Sequence, residues 1–169
     1  MRRKVLRFQQ NLSAKLFLSL ILITSLLFLP IKLLEIRTEE GTYICSLFFN
    51  SEVIITLSYI HSVSLTEVID KFKVTGDGIW AIESRWQQFD AGQPIDFNRI
   101  ENGFFVKEMR LFLGNEWIYW FIPLNRPSIR LDGKYLVQEM RKEGKVKFKL
   151  RKEPLVFIIF SWEGVKWIN

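Results

Sequence analysis

Past residue 42 the apolar residues come in short runs instead of at helical spacing. "YICSLFF", "VIITLSYIHSV", "VIDKFKV", "FFVKEMRLFL", "EWIYWFI", "KVKFKL" and "LVFIIFSW" stand among them. They are rich in β-branched and aromatic residues, and breakers separate them at Gly76-Asp77-Gly78, Gly92 to Pro94, Asn102-Gly103, Gly114-Asn115, Asp132-Gly133, Gly144 and Pro154. Short strands at that spacing predict an all-β domain over residues 43–169, an antiparallel β-sandwich or a barrel-like sheet. "YLVQEMRKEG" is open to a short helix ended by Gly144. Two segments depart from one-face-in, one-face-out alternation. "WIYWFI" (117–122) and "LVFIIF" (155–160) are apolar on both faces, so each needs a cover, whether a loop of the same chain, a bilayer or another protein.

The N-terminus follows another pattern. "LFLSLILITSLLFLPI" (16–31) carries no charge, and Lys15 and Lys32 flank it. With Leu33 and Leu34 it approaches the ~20 residues a bilayer needs. A cleaved leader would have a shorter apolar core and small residues before the cut, where Leu, Phe and Pro30 stand here. The expectation is therefore a basic cytoplasmic tail (1–15), a transmembrane signal anchor (16–34), a polar connector (35–42) and an extracytoplasmic β domain (43–169). Arg2, Arg3, Lys4, Arg7 and Lys15 precede the span without an acid, which orients the N-terminus inward as a single-pass protein of the cell membrane.

Charge changes the picture only by where it lies. The formal net charge is +6, but from residue 33 onward 18 bases face 18 acids, so nucleic-acid binding has no footprint in the β domain. Within it, residues 126–152 hold 10 bases and 3 acids. Lys145, Lys147, Lys149 and Arg151 alternate with Val146, Phe148 and Leu150, as on a half-buried strand whose lysines discourage edge pairing or meet acidic groups. Cys45 is the only cysteine, so it makes no intrachain disulfide.

The only histidine, His61, shares a strand face with Ile55, Leu57, Tyr59 and Val63. Pairing by apolar face sets Val63 against Val68, His61 against Asp70 and Tyr59 against Phe72. A three-residue turn at Gly76-Asp77-Gly78 then sets Val74 against Trp80, Phe72 against Ile82 and Asp70 against Ser84. A polar row His61–Asp70–Ser84 follows, either a satisfied cluster that fixes strand register or the lining of a ligand pocket. Catalysis fits poorly. Ser62 points to the face opposite His61, and Ser84 lies beyond Asp70, the wrong order for a triad. One His and one Cys make no zinc site without several carboxylates, and no Gly-rich phosphate loop precedes a helix, so no metal or cofactor is expected.

"YIHSVSLTEVIDKF" followed by "FDAGQP" resembles the bacterial and archaeal family known as domain of unknown function 1850. Tyr59, His61, Ser62, Val63, Thr66, Asp70, Phe72, Ala91, Gly92 and Pro94 occupy the motif positions, with Asp70 in place of the usual Glu and Asp90 in place of a Gly. The resemblance implies no established activity. It implies an accessory role beside tripartite ATP-independent (TRAP) uptake transporters of the TAXI type, whose multispanning permease or solute-binding protein would be the partner. A non-enzymatic, membrane-anchored accessory protein is the first expectation. An extracytoplasmic binding module for a small organic anion is the second, with His61, Thr66, Arg85 and the Ala91-Gly92 turn as its candidate ligands.

Overall fold

A computed structural model describes residues 2–47, 51–89, 92–156 and 165–168. One helix, α1 (Arg2–Leu27), precedes twelve strands: β1 (Pro30–Thr38), β2 (Gly41–Leu47), β3 (Val53–Ile60), β4 (Glu67–Thr75), β5 (Gly78–Trp86), β6 (Arg99–Glu101), β7 (Phe104–Gly114), β8 (Glu116–Phe121), β9 (Ser128–Leu131), β10 (Lys134–Val137), β11 (Gly144–Pro154) and β12 (Val165–Ile168). A single 3₁₀ turn, Pro123–Asn125, joins β8 to β9.

The chain divides into two units. The first holds residues 1–31 and 152–162, and the second holds 32–151 and 163–169.

The second unit is mostly antiparallel β. Its strands form two open sheets, ordered β12-β2-β1-β11-β8 and β10-β9-β3-β4-β5-β7-β6, so the architecture is a sandwich and not a barrel. Only β12 runs parallel to its neighbour, β2, among the pairings described. Leu34, Ile36, Phe121, Val146 and Phe148 of the smaller sheet meet Ile55, Leu57, Phe72, Val74 and Ile129 of the larger in one buried core. Rings interlock across the layers, with Phe72 and Phe148 centroids 6.0 Å apart and Tyr59 and Phe121 5.4 Å apart.

Turn chemistry placed two hairpins where the sequence puts them. Asn102-Gly103 and Asp132-Gly133 both have positive φ at each residue, the geometry of a two-residue type I′ turn. They close β6 onto β7 and β9 onto β10. The alternation of β11 also reads directly: Val146 and Phe148 are buried, while the lysines between them face outward.

Three expectations need correction, and two open readings narrow. Residues 30–34 are strand, not the end of a helix, and residues 35–42 are no connector but the end of β1, a turn and the start of β2. Pro30 cannot continue a helix and opens the strand, and Leu34, Ile36 and Thr38 then alternate inward. Glu35, on the opposite face, is also buried, with Arg151 at 2.7 Å and Arg37 at 2.9 Å on its carboxylate. "YLVQEMRKEG" holds strand β10 and then bends, without helix. "WIYWFI" forms the edge strand β8, and its outward side chains Ile118 and Trp120 stand 46% and 59% exposed. The strand expected at 155–160 is not there at Leu155 and Val156, which are helical; the rest of that segment lies outside the described residues.

In the first unit, α1 is apolar from Leu16 to Leu27, and its Leu, Ile and Phe side chains are exposed around most of its circumference. Among the described residues, no helix is long and apolar enough to cross a membrane.

Candidate functional site

The β3–β4 hairpin positions most of the motif, and its register differs from the expected one by four residues. Tyr59 pairs with Val68, Leu57 with Asp70 and Ile55 with Phe72. A shift of four, like any even shift, keeps every side chain on its own face, so matching apolar faces could not separate the two registers. His61 therefore lies outside the strand, in the loop 61–66. Its backbone N–H donates to the Thr66 carbonyl (2.8 Å), its carbonyl accepts from the Leu65 N–H (3.0 Å), and Leu65 takes the left-handed φ of 55° that the turn requires. The Ser64 hydroxyl lies 3.2 Å from His61 Nδ1 and 2.9 Å from the Thr66 hydroxyl. Ser62 and Val63 are exposed at the tip.

Asp70 stays on the inner face of β4, between Val68 and Phe72, and does meet Ser84. The β4–β5 turn is a two-residue one, pairing Thr75 with Gly78, Val74 with Ile79 and Phe72 with Ala81, instead of the wider turn expected. A bulge at Ile82 adds one residue to β5 and restores the Asp70–Ser84 pairing. The Ser84 hydroxyl donates to Asp70 Oδ1 at 2.6 Å. The third member of the row comes from the opposite sheet: the Tyr119 hydroxyl donates to Asp70 Oδ2 at 2.9 Å, and the nearby Tyr59 hydroxyl also favours the charged carboxylate. Phe72 (6.0 Å), Phe121 (5.5 Å) and Trp117 (6.2 Å) surround the Tyr119 ring.

Sequence reasoning missed Tyr119, whose only signal was its position on the inner face of an otherwise apolar segment. His61 was the wrong choice because Leu57, four residues earlier, takes the position opposite Asp70.

The electrostatics follow from burial. Burial raises the Asp70 pKa, and hydrogen bonds from Ser84, Tyr119 and Tyr59, which favour the charged form, do not fully offset it. Burial and the nearby Asp70 charge push both tyrosines far above the ordinary phenol range, so they remain neutral donors. Ser84 donates to the Asp70 carboxylate from the same sheet and Tyr119 from the other, so the one carboxylate joins the two sheets.

A pH dependence follows. A carboxyl that binds its proton more tightly in the folded state adds stability that is complete below the ordinary value of 3.8 and is lost as pH rises through the folded value. The unfolding free energy of wild type minus that of Asp70→Asn should fall as pH is raised from 3.8, measured by denaturant titration. A difference that rises over that range would contradict the assignment.

The remaining motif residues gather at the same end of the larger sheet. The Glu67 N–H donates to Gln87 Oε1 (3.1 Å), bringing the 61–66 loop to the segment after β5 that holds Gly92 and Pro94. Ala91 lies outside the described residues. Asn125 Nδ2 donates to the Ile60 carbonyl (2.7 Å) from the turn after β8. Arg85 faces away from His61 and Thr66, on the outer face of the sheet, bound to Glu83 (2.6 Å) and Glu101 (3.6 Å). It belongs to a charged network with Lys71, Arg99 and Glu108. Burial would raise the Glu83 pKa, yet hydrogen bonds and charge from Arg85 and Lys71 hold it below the usual range.

An open groove of about 800 Å³ lies beside β3, β9 and β10, lined by Ser58, Ser128, Tyr135 and Glu67 and by Arg126 and Arg141, which share Glu139 at 3.7 and 3.3 Å. Among the described residues no cluster of His, Cys, Asp or Glu could hold a metal ion.

Residues 55–136 match the family model described as Domain of unknown function (DUF1850). The match begins in β3 and ends in β10, so it covers the seven strands of the larger sheet, β8 and the Asp70 cluster. No curated protein and no solved structure matches the chain.

Proposed function

Because the chain belongs to the DUF1850 family through residues 55–136, we propose that it is a non-enzymatic accessory protein, anchored in the cell membrane by its N-terminal segment and associated with a TRAP-type solute transporter. The observation that carries the anchor is the surface of α1. Leu16, Phe17, Leu18, Leu20, Leu22 and Ile23 are all more than half exposed. The three hydroxyls of that stretch turn back onto the helix itself: Ser19 donates to the Leu16 carbonyl (2.8 Å), Thr24 to Leu20 (2.7 Å) and Ser25 to Ile21 (2.8 Å). Such a surface offers nothing to water and leaves no side-chain polar group unsatisfied in hydrocarbon.

The apolar turns from Leu16 to Leu27 are shorter than the ~20 residues a full span needs. In this reading the long stem of Lys15 carries its charge to the interface at the start of the apolar turns. The five bases before Leu16 place the N-terminus in the cytoplasm and the sandwich outside.

The transporter association rests on the family resemblance, and the non-enzymatic role is supported by the way the Asp70 cluster spends its donors. Solubilisation in mild detergent and affinity capture of the full chain should bring down a multispanning permease, and deletion of the gene should lower solute uptake. Capture of the chain alone, with uptake unchanged, would overturn the accessory role.

The groove beside Arg126 and Arg141 favours a second reading, an extracytoplasmic binding module for a small organic anion. Millimolar organic acids should then raise the melting temperature of the full chain, since a ligand that binds only the folded state stabilises it by mass action. No shift across the set would remove that reading.

A further inference from the structure

We infer that the outer face of β8 and β11 rests on an anionic lipid surface, a proposal that builds on the membrane anchor proposed above. The strand register sets the two ingredients side by side. Trp120 pairs with Lys145, Ile118 with Lys147 and Glu116 with Lys149. Since Tyr119 and Phe121 point into the core from β8, and Val146 and Phe148 from β11, the residues between them all face outward together. An exposed Trp and Ile on an edge strand thus lie within one strand spacing of a row of lysines.

The charge on this face is positive. Lys147 (2.6 Å) and Lys149 (3.4 Å) share the single carboxylate of Glu116, and Arg151 and Arg37 share that of Glu35. Lys145 makes no ion pair among the described residues. Three lysines of β11, Lys145, Lys147 and Lys149, therefore face the one carboxylate of β8, Glu116.

The chemistry of this pattern selects the occupant. Trp prefers the headgroup level, where its ring is half in hydrocarbon and its N–H can reach water or a carbonyl. Lysines beside it add attraction to anionic headgroups and lay their apolar stems along the same surface. A stable protein interface recruits roughly 20–30 residues per side. The apolar side chains here are two, Ile118 and Trp120, too few for that and enough for a surface whose attraction is mostly electrostatic.

The test uses the full chain in vesicles. With Cys45→Ser as background, a fluorophore is attached at Ile118→Cys, at Trp120→Cys in a second variant, and at Lys134→Cys on the edge hairpin of the other sheet as control. Brominated phosphatidylglycerol in the vesicles should cause a roughly two-fold loss of emission at positions 118 and 120 and leave position 134 unchanged. The loss should disappear near 1 M salt, where the Debye length falls to about 3 Å, and in the combined Lys145→Gln, Lys147→Gln, Lys149→Gln variant. A chain that floats with the vesicles yet stays unquenched at 118 and 120 overturns the lipid face and leaves the anchor standing. Equal quenching at 134, or equal quenching in vesicles of brominated phosphatidylcholine alone, also overturns it. A chain that does not float at all overturns both, and shielding of 118 that appears only with a captured permease assigns the face to protein instead.

Discussion

Replacing Asp70 by alanine should lower the unfolding free energy by about 3 kcal/mol, because the change leaves the Ser84, Tyr119 and Tyr59 hydroxyls without their acceptor. Each donor is held on a strand of the sandwich, where the change leaves it without its partner. Ser84 lies on the same sheet as Asp70 and Tyr119 on the other, so the loss weakens both strand register and the contact between layers. The triple variant Asp70→Ala, Ser84→Ala, Tyr119→Phe should cost less than the sum of the three single changes, since the first removes what the others lose. His61→Ala, which the expected polar row would make equally damaging, should cost about 1 kcal/mol or less. The imidazole is half-buried in the 61–66 loop, where its Nδ1 lies 3.2 Å from the Ser64 hydroxyl, and the backbone bonds that close the loop survive the change. Denaturant titrations of these variants decide the matter: additive losses, or a larger loss at His61 than at Asp70, would contradict the cluster described.

The contrast between those two residues shows what was legible. The two-residue period told correctly which residues of β3, β4 and β11 face inward, because one buried face selects against an odd slip. It carried no information about an even slip, and the loop that sets the register closes through backbone hydrogen bonds and the positive φ of Leu65, a residue with no turn signature. At Ile82 two departures cancelled. The tighter turn moved the register by one and the bulge moved it back, so the Asp70–Ser84 pair appears where expected by a different route. Asn-Gly and Asp-Gly were read without error because their backbone preference is local. Residues 30–38 were not, since a short apolar run reads alike as buried strand or helix, and Pro30 was the signal that separated them. Tyr119 lay beyond reach because its partnership depends on how two sheets stack, which no pairing rule within one sheet supplies.

The second large effect belongs to Trp86. Its side chain is fully buried at the end of β5, outside the main core, with Phe89, Phe105 and the neighbouring Phe97 closing over it. Phe89 and Phe97 lie in the segment between β5 and β6 and are themselves partly exposed, so Trp86 is what they close against. Trp86→Ala should cost about 3–5 kcal/mol, the range for emptying a large aromatic site. Trp86→Phe should cost far less, about 1 kcal/mol, since the indole N–H finds no acceptor among the described residues and its removal offsets part of the lost volume. Thermal or denaturant unfolding measures both. Equal losses for the two variants would mean that the N–H is satisfied in solution and that the closing aromatic cluster is wrongly described.

The central claim is that the exposed apolar helix holds the sandwich at a membrane. Extraction of cell membranes with alkaline carbonate tests it most directly, because the treatment strips proteins bound only by charge and leaves those embedded in hydrocarbon. The full chain is expected to stay in the membrane pellet, and a chain carrying Leu20→Arg and Ile23→Arg to move to the supernatant, each arginine adding about 2.5–3.5 kcal/mol to the cost of insertion. Release of the unaltered chain into the supernatant would contradict the claim.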